Sequence, residues 1–285
     1  MLKKDDYIGI VACSNGLNEN MSEKLELLYK KIENLGLKVK KSPFIFAKEA
    51  CFSGTGKERA IILNEFFRDD SIKVIFDISG GDLANELLEH INFEMIKEKN
   101  KPFFGYSDLS VILNAIYAKT GVETYNYQIR NLIGEFSRVQ LENFKNSLME
   151  GKDDLFKVHY DFIQGTEMEG IVVGGNIRCC LKLVGTEYMP DFTDKIIFLE
   201  GLSGDVGKMT TFLTQYKNIG AFKECKGILL GTFTEMEKNK YEPNIVELVK
   251  RIVNNDSIPI AKTSEIGHGE DSKSIIVGRN IRVEI

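Results

Sequence analysis

Ser107 is the residue of this 285-residue chain whose type and surroundings best suit nucleophilic catalysis. It lies in the segment Gly105-Tyr106-Ser107-Asp108, between an apolar stretch and an apolar-patterned helix. In such a turn the hydroxyl lies at the edge of a sheet, and the amides of the helix start point toward the group under attack. This pattern makes Ser107 a candidate nucleophile and the backbone N–H of Asp108 a candidate oxyanion donor.

The same pattern also has a simpler explanation, because serine is one of the preferred residues at the N-cap of a helix. The nucleophile turn of α/β-hydrolases has the form G-x-S-x-G, and Leu109 occupies the position of its last glycine. On the local sequence alone, an N-cap explains Ser107 better than catalysis does.

Gly80 and Gly81 follow an apolar run, residues 74–78, that predicts a buried strand. Consecutive glycines allow the backbone to approach a ligand closely with its amides pointing inward. The pair is therefore a candidate for the second oxyanion donor. A tight turn between a strand and a helix would require the same two residues.

His268 is flanked by Gly267 and Gly269, which predicts a loop with little packing of its own. The chain has only two other histidines, His90 and His159, in charged or strand-like contexts. If the chemistry requires a histidine base, His268 is the best placed of the three. An exposed loop histidine without a catalytic role is the alternative.

Glu200 ends the apolar run of residues 196–199. A carboxylate at the end of a buried strand is costly unless it has a partner. One such partner is an imidazole that the carboxylate holds in place. A salt bridge or a contact with a helix start would explain Glu200 equally well.

Two glycine-rich segments resemble phosphate-binding loops but lack the residues that bind phosphate and magnesium. In residues 54–57 the lysine is followed by Glu58, where a serine or threonine is required. In residues 204–208 the lysine is followed by Met209. The chain also has no HExxH motif and no EF-hand loop, so we expect no nucleotide cofactor and no obligatory metal.

The candidate residues lie within a regular alternation of strand and helix patterns in the first half of the chain. Apolar runs predict strands, and amphipathic segments between them predict helices, in the order 7–12, 22–35, 37–39, 58–67, 74–78, 83–88, 102–106 and 109–119. This alternation predicts an α/β fold with a mostly parallel, doubly wound sheet. In such sheets the sites form at the carboxyl ends of strands, where the loops of Gly80 and Ser107 lie.

The pattern changes after about residue 131. Short apolar runs broken by glycines then predict strands near residues 171–173, 196–199, 227–230 and 274–277, with helices at 208–216 and 245–253. This indicates a second α/β domain that is smaller and richer in strand. We expect a first domain of residues 1–135, a linker of 136–165 and a second domain of 166–285.

The composition excludes some partners and locations. A net charge of −5 argues against nucleic acid as a partner, because phosphate binding needs a basic surface. The first apolar run, residues 8–13, is too short for a signal-peptide core, and no stretch approaches the ~18 apolar residues of a membrane span. We therefore expect a cytoplasmic protein. Its five cysteines, including the adjacent Cys179 and Cys180, are expected to be reduced, and a redox or metal site at that pair is the less favoured alternative.

Taken together, the segments resemble the LD-carboxypeptidase family of serine peptidases, which includes the microcin C self-immunity peptidases. The resemblance rests on six motifs in the family's order. They are Arg59-Ala60 with Leu63-Asn64 and Phe67, Gly80-Gly81-Asp82 with Asn85, Gly105-Tyr106-Ser107-Asp108, Gly174-Gly175-Asn176 with Gly185-Thr186, Phe198-Leu199-Glu200, and Gly267-His268.

This resemblance implies a flavodoxin-like amino-terminal domain that carries the serine and a β-rich carboxyl-terminal domain that carries the acid and the histidine. It makes Ser107, Glu200 and His268 the expected catalytic triad, in a groove between the domains. The oxyanion donors would be Asp108, Gly80 and Gly81. The expected substrate-binding residues are Asp82, Tyr106 and Asn176.

The family's activity is hydrolysis of an amide bond near a free carboxyl terminus. In the carboxypeptidase proper, that bond joins a diamino acid of murein tetrapeptide to a terminal D-alanine, a step of peptidoglycan recycling. In the immunity branch, it joins an amino acid or peptide to a nucleotide-like toxin. The resemblance also implies a homodimer.

One departure from the family pattern concerns the substrate groove. The family has a His-Gly-Pro-like turn after Gly121, and this chain has Tyr125-Asn126-Tyr127-Gln128 instead. The family's substrate preference therefore does not transfer directly. A groove that binds a peptide or a nucleotide amide without cutting it is the alternative of another class.

Overall fold

The computed structural model describes residues 1–285 as twelve strands and nine α-helices, with short 3-10 helices between them. The strands are β1 (Tyr7–Val11), β2 (Lys38–Lys41), β3 (Ile72–Asp77), β4 (Phe103–Gly105), β5 (Thr124–Asn126), β6 (Asp161–Gln164), β7 (Glu167–Asn176), β8 (Lys195–Gly201), β9 (Gly227–Phe233), β10 (Ile260–Lys262), β11 (Ile275–Val277) and β12 (Asn280–Glu284). The helices are α1 (Ser22–Asn34), α2 (Gly56–Arg68), α3 (Phe93–Lys99), α4 (Ser110–Thr120), α5 (Ser137–Leu148), α6 (Ile177–Cys180), α7 (Val206–Asn218), α8 (Thr234–Lys238) and α9 (Ile245–Val253).

The first sheet has the strand order β11-β5-β4-β3-β1-β2, and strands β1 to β5 are parallel. Helices α2, α3 and α4 bury their apolar faces on one side of this sheet. Helices α1 and α5 cover the other side. Because both faces are covered, the central strands β1, β3 and β4 are largely apolar, which is why they read as nearly continuous apolar runs in the sequence. The predicted α/β fold with a doubly wound parallel sheet is confirmed.

The second sheet has the order β12-β7-β8-β9-β10-β6. Its four central strands are parallel, and the edge strands β12 and β6 are antiparallel to their neighbours. Helices α7 and α9 pack on one face of this sheet. The predicted second α/β domain is therefore built on this sheet. None of the helices is both long enough and apolar enough to cross a membrane.

The chain crosses between the two sheets near both ends of the predicted second domain. The segment expected to be a linker, residues 136–165, contains α5, whose Phe144 is buried against the first sheet, and β6 of the second sheet. Strand β11 lies in the first sheet, antiparallel to β5, although it follows β10 of the second sheet in the chain. The carboxyl-terminal part of the chain thus contributes to both sheets.

The buried side-chain amide of Asn114, in helix α4, joins the two domains. Its Nδ2 donates to the carbonyl of Gly174 at 2.8 Å, and its Oδ1 accepts from the N–H of the same glycine at 2.8 Å. Next to this contact, a Cβ on Gly175 would lie 2.4 Å from Ser110 Oγ, and the φ of Gly175 is +148°. A glycine is required at residue 175, because any side chain would separate α4 from β7.

Asn114→Ala is expected to lower the free energy of unfolding by about 2–6 kcal/mol, measured by urea denaturation. The reason is that two buried backbone groups of Gly174 lose their partner, at about 1–3 kcal/mol each. The half-exposed Asn64 provides a matched control, since its amide also joins two backbone groups, at His90 and Asn92. Asn64→Ala is expected to cost about 1 kcal/mol or less, because water replaces the lost partners. Equal losses in the two variants would contradict a special role for Asn114.

Candidate active site

Ser107 begins a short 3-10 helix, Ser107–Leu109, that leads from β4 into α4. Its φ is +56°, a left-handed conformation that is uncommon for a residue with a side chain. The turn is tight enough that a Cβ on Gly105 would lie 2.7 Å from the Cβ of Leu109. A strained serine between a strand and a helix has the local geometry of a nucleophile turn. Ser107 is therefore not a conventional N-cap in the extended conformation.

The side chain of Asp108 anchors this turn. The carboxylate is fully buried, and its Oδ2 accepts from Ser14 Oγ at 2.6 Å and from the N–H of Ala84 at 2.9 Å. Its Oδ1 accepts from Lys182 Nζ, in the second domain, at 2.5 Å. The side chain thus connects the turn to two neighbouring loops and to the other domain, and only its backbone N–H is left to serve an oxyanion.

The Gly80-Gly81 loop is held at the end of β3 by the buried carboxylate of Asp77. This carboxylate accepts from the N–H of Cys13 at 2.6 Å and from the N–H and hydroxyl of Ser79 at 2.7 and 2.6 Å. Burial raises the pKa of Asp77, and these hydrogen bonds oppose that rise. The hydrogen bonds of Asp77 thus fix the backbone that leads from β3 to Gly80 and Gly81.

The first glycine of the pair, Gly80, lies beside the serine. A Cβ on Gly80 would lie 4.0 Å from Ser107 Oγ, so the backbone of Gly80 passes close to the hydroxyl. The carbonyl of Gly80 accepts from the N–H of Asn15 at 3.1 Å, whereas the N–H groups of Gly80 and Gly81 donate to no backbone carbonyl. The amide of Gly80, beside the serine, and that of its neighbour Gly81 are therefore free to bind a ligand oxygen.

Glu200 and His268 form a buried pair. Glu200 Oε2 lies 2.6 Å from His268 Nδ1, and the side chains are 2% and 4% exposed, respectively. The other carboxylate oxygen, Oε1, accepts from Asn176 Nδ2 at 3.0 Å. Because the carboxylate can only accept, the neutral imidazole carries its proton on Nδ1, and Nε2 has a free lone pair. That is the tautomer that a histidine base needs.

The loop that carries His268 is attached to the first domain. Glu270 accepts from the N–H of Glu135 at 2.5 Å, and the carbonyl of Ser272 accepts from Gln140 Nε2 at 3.0 Å. A few residues later the same segment becomes β11 of the first sheet. His268 is thus bonded to Glu200 of the second domain and held in place by the first.

His268 Nε2 is buried and has no hydrogen-bond partner, so it is not bonded to Ser107 in this conformation. The residue before the serine does reach the histidine, since the ring centroids of Tyr106 and His268 are 5.1 Å apart. The structure therefore joins Glu200 to His268 and brings the Ser107 turn beside them, with the serine–histidine bond not made. Such bonds are often long before substrate binds.

A cavity of about 250 Å³ opens on the histidine side of this group. Its polar lining comes mainly from Tyr106, Gln128, Arg130, His268, Glu270 and Lys24. Arg130 Nη2 donates to the hydroxyl of Tyr106 at 3.1 Å. Tyr106, which the sequence predicts to bind substrate, thus lies in the wall of a cavity next to the candidate base.

The other two residues predicted to bind substrate already have protein partners. Asp82 pairs with Arg178 and lies 3.7 Å from Lys182, both in the second domain, and the Arg178 guanidinium lowers the pKa of Asp82. Asn176 donates to Glu200, and its Oδ1 accepts from the N–H of Cys179 at 3.2 Å. In this conformation both residues position other parts of the site.

Sequence reasoning missed four residues that build the site. Asn114 and Ser110 tie α4 to β7, Lys182 reaches Asp108, and Arg130 lines the cavity. Asn114 had a signal, because it is a polar residue in an otherwise apolar helix pattern. The other three are ordinary polar residues in unremarkable local contexts.

The adjacent cysteines are buried thiols. Burial raises the pKa of Cys180 to about 12 and raises that of Cys179 as well. At neutral pH neither is a thiolate, which is the form that binds metals and reacts with disulfides. No group of three or more His, Cys, Asp or Glu side chains is arranged to hold a metal ion.

Comparison with known protein families agrees with this geometry over both domains. The LD-carboxypeptidase N-terminal domain matches residues 8–127, which include the Ser107 turn and the glycine pair. The LD-carboxypeptidase C-terminal domain matches residues 169–283, which include Glu200 and His268. The chain belongs to the LD-carboxypeptidase family. It is accordingly a serine peptidase of that family, and hence a hydrolase.

Relatives of this LD-carboxypeptidase-family chain align over most of its length. A putative carboxypeptidase of Treponema pallidum is 27% identical, covering 100% of this chain and 91% of the relative. A probable murein peptide carboxypeptidase of Bacillus subtilis is 25% identical, covering 97% and 88%. The microcin C7 self-immunity protein MccF of Escherichia coli is 24% identical over 81% and 77%. The structure of MccF with aspartyl sulfamoyl adenosine has the same fold, with a TM-score of 0.87, 21% identity and coverage of 99% and 94%.

Asn176→Ala is expected to lower kcat for amide hydrolysis by about 10- to 100-fold, because Glu200 loses the donor that orients it toward His268. It should also lower the free energy of unfolding by at least about 1 kcal/mol, since Asn176 caps helix α6. Asn244→Ala is the matched control, because Asn244 caps α9 away from the site. The control should lose about 1 kcal/mol of stability with an unchanged kcat. If both variants lost activity equally, Asn176 would act through stability alone.

Proposed function

We propose that Ser107, His268 and Glu200 form the catalytic triad of this peptidase. The observation that carries the proposal is the buried bond between His268 Nδ1 and Glu200 Oε2, 2.6 Å long, which leaves Nε2 without a partner beside the Ser107 turn. A buried, unpaired ring nitrogen is costly, and a role as general base explains why it is kept. The strained φ of Ser107 supports the same assignment.

In the proposed reaction, His268 Nε2 takes the proton of the Ser107 hydroxyl as the hydroxyl attacks the scissile carbonyl carbon. Glu200 holds the imidazole in the required tautomer and stabilises its charged form. His268 then gives the proton to the leaving amine as the C–N bond breaks. A water molecule, activated by the same histidine, hydrolyses the acyl-enzyme and restores the serine.

The backbone N–H groups of Asp108 and of Gly80 or Gly81 would bind the oxyanion of the tetrahedral intermediates. Their positions support this role, because Gly80 passes beside the hydroxyl and the glycine amides have no backbone partner. Preorganised donors of this kind typically lower the barrier by about 3–4 kcal/mol each. The buried Asp77 and Asp108 carboxylates hold the two donor loops in place.

The substrate that we favour is a peptide with a free carboxyl terminus, such as murein tetrapeptide, from which the enzyme would release terminal D-alanine. Support comes from the relative in Bacillus subtilis named as a probable murein peptide carboxypeptidase. The cavity beside His268 has room for a group of several non-hydrogen atoms, since its 250 Å³ compares with the ~30 Å³ share of one water molecule. The reaction would belong to peptidoglycan recycling.

An aminoacyl or peptidyl nucleotide is the second candidate substrate. The structure of MccF in complex with aspartyl sulfamoyl adenosine, on the same fold, favours it. Offering the purified protein murein tetrapeptide and aspartyl sulfamoyl adenosine side by side, with mass spectrometry of the products, distinguishes the two. The predicted cytoplasmic location and homodimer stay predictions.

Ser107→Ala is expected to abolish hydrolysis and leave the unfolding transition almost unchanged, because it removes only the attacking oxygen. In the unmodified chain, a fluorophosphonate probe should form one covalent adduct, located on Ser107 by peptide mass spectrometry. Ser71→Ala, which changes an exposed serine far from the site, is the control and should keep full activity and labelling. Unchanged turnover in Ser107→Ala would refute the triad, and absence of the adduct would favour a protein that binds without cutting.

Glu200→Gln is expected to lower kcat by about 10²–10⁴-fold with little change in stability. The glutamine amide would donate to His268 Nδ1 and force the ring proton onto Nε2, where it blocks base catalysis. Glu237→Gln, which changes an exposed partner of Lys262, is the control and should be neutral. If Glu200→Gln and Glu237→Gln have the same kcat, Glu200 is not the acid of the triad.

A further inference from the structure

Three nitrogen donors or acceptors in the wall of the His268 cavity are buried and have no partner. They are Gln128 Nε2, Arg130 Nε and His268 Nε2. Buried polar nitrogens are nearly always hydrogen-bonded in folded proteins, so three in one cavity form an unusual group. His268 Nε2 is accounted for by the proposed catalysis. The other two require a different explanation.

The orientation of Gln128 is determined by its own neighbour. Its Oε1 accepts from the N–H of Arg130 at 3.0 Å, at the start of the 3-10 helix Ile129–Ile133. Since the oxygen is used as a helix cap, the Nε2 group of the amide is the free end. Gln128 is 6% exposed, so a donor that is nine-tenths buried is held at the cavity wall without a protein acceptor.

The guanidinium of Arg130 also has N–H donors without an acceptor. Of its N–H groups, one on Nη2 donates to the Tyr106 hydroxyl, and Nε has no acceptor. A guanidinium has five N–H donors in a planar fork that matches a carboxylate. The one acidic side chain in the cavity wall, Glu270, instead accepts from the N–H of Glu135. Arg130 and Gln128 thus both carry unused donors, one of them charged, in the lining of the same cavity.

The position of the cavity indicates which part of a substrate would meet these donors. The cavity is lined by His268 and not by Ser107 or Gly80, so it lies on the histidine side of the reacting carbonyl. In the proposed mechanism His268 protonates the leaving amine, and therefore the leaving group lies on this side. A carboxylate on the leaving amine would then face Arg130 and Gln128.

We propose that Arg130 and Gln128 bind the free α-carboxylate of the leaving amino acid and thereby restrict the enzyme to substrates that end one residue after the scissile bond. This inference rests on the proposed function, because it uses the role of His268 to orient the substrate. Arg130 supplies a charged fork, and Gln128 supplies a second, neutral donor. Both residues lie at or next to the turn Tyr125–Gln128, where this chain departs from the pattern of the family it resembles.

The test compares murein tetrapeptide with the same peptide whose terminal carboxylate is replaced by a carboxamide. The catalytically silent Ser107→Ala chain is titrated with both peptides by calorimetry, and the unmodified enzyme is assayed for turnover of both. We expect the free acid to bind about 10- to 100-fold more tightly than the carboxamide, as for a hydrogen bond to a charged group. In turnover the same ratio should appear in kcat/KM.

Arg130→Gln and Gln128→Glu are then made in the Ser107→Ala chain. Arg130→Gln removes the charged fork, and Gln128→Glu keeps the capping oxygen but replaces the donor with a negative charge. Each should weaken binding of the free acid by about tenfold or more and leave carboxamide binding almost unchanged. Arg138→Gln is the matched control, because Arg138 is exposed on helix α5 outside the lining of the cavity, and it should change neither affinity by more than about twofold.

Equal binding of acid and carboxamide by the Ser107→Ala chain would overturn the proposal, as would no detectable binding of either peptide. It would also be overturned if the Arg130 and Gln128 variants weakened both peptides equally, which is the result expected if the residues only hold Tyr106 and the loop in place. A preference for the acid in binding, together with no turnover by the unmodified chain, would support the carboxylate site and refute the proposed hydrolysis of murein tetrapeptide. The experiment therefore tests the carboxylate site and the proposed hydrolysis separately.

Discussion

The active site depends on one contact, in which the fully buried amide of Asn114 holds both backbone groups of Gly174. Helix α4 begins three residues after Ser107, and β7 ends at Asn176, whose Cα pairs in register with that of Glu200. The position of the serine relative to the acid is therefore set by α4 packed on β7. The N–H of Asn176 also donates to Ser110 Oγ at 2.9 Å, so the two domains meet through hydrogen bonds that leave little freedom to slide. A flexible hinge here would separate the residues that exchange a proton in the proposed mechanism, which requires a distance of about 3 Å.

Two buried carboxylates on the serine side fix the loops that carry the proposed oxyanion donors. Asp77 sets the loop that leads to Gly80, and Asp108 holds the Ser107 turn and binds Lys182 across the domain boundary. A buried ion pair contributes little net stability, since desolvation offsets its attraction, but breaking it leaves a buried charge. The Lys182–Asp108 pair is therefore best understood as a device that specifies how the domains meet. It also explains how Ser107 is kept at a positive φ, because the surrounding bonds outweigh the local strain.

Much of the fold could be predicted from the sequence, since buried parallel strands and amphipathic helices leave strong patterns in the apolar residues. Helix 245–253 and the strands near residues 7–12 and 74–78 have bounds close to those predicted. The residues 274–277 also formed a strand, but its sheet could not be read from the pattern, because pairing with β5 is a property of the whole chain. For the same reason local sequence could not show that Glu200 meets His268 across 68 positions. Arg130 had no sequence signal, and Gln128 stood out only as part of the Tyr125–Gln128 departure, because the importance of both side chains lies in the acceptors that they lack.

Single unsatisfied buried groups also occur elsewhere, for example at Ser53 and Arg59, but three buried nitrogens without partners line this one cavity. Other buried polar side chains, such as Asn114 and Asp77, have their hydrogen-bonding capacity used within the protein. Around the cavity, the nitrogens of Gln128, Arg130 and His268 do not. Folding alone would favour pairing or exposing them, since each unpaired buried group costs about 1–3 kcal/mol. A substrate that supplies the missing hydrogen-bond partners would remove this cost when it binds. The gain in affinity would be largest for a substrate whose charge matches that of the site.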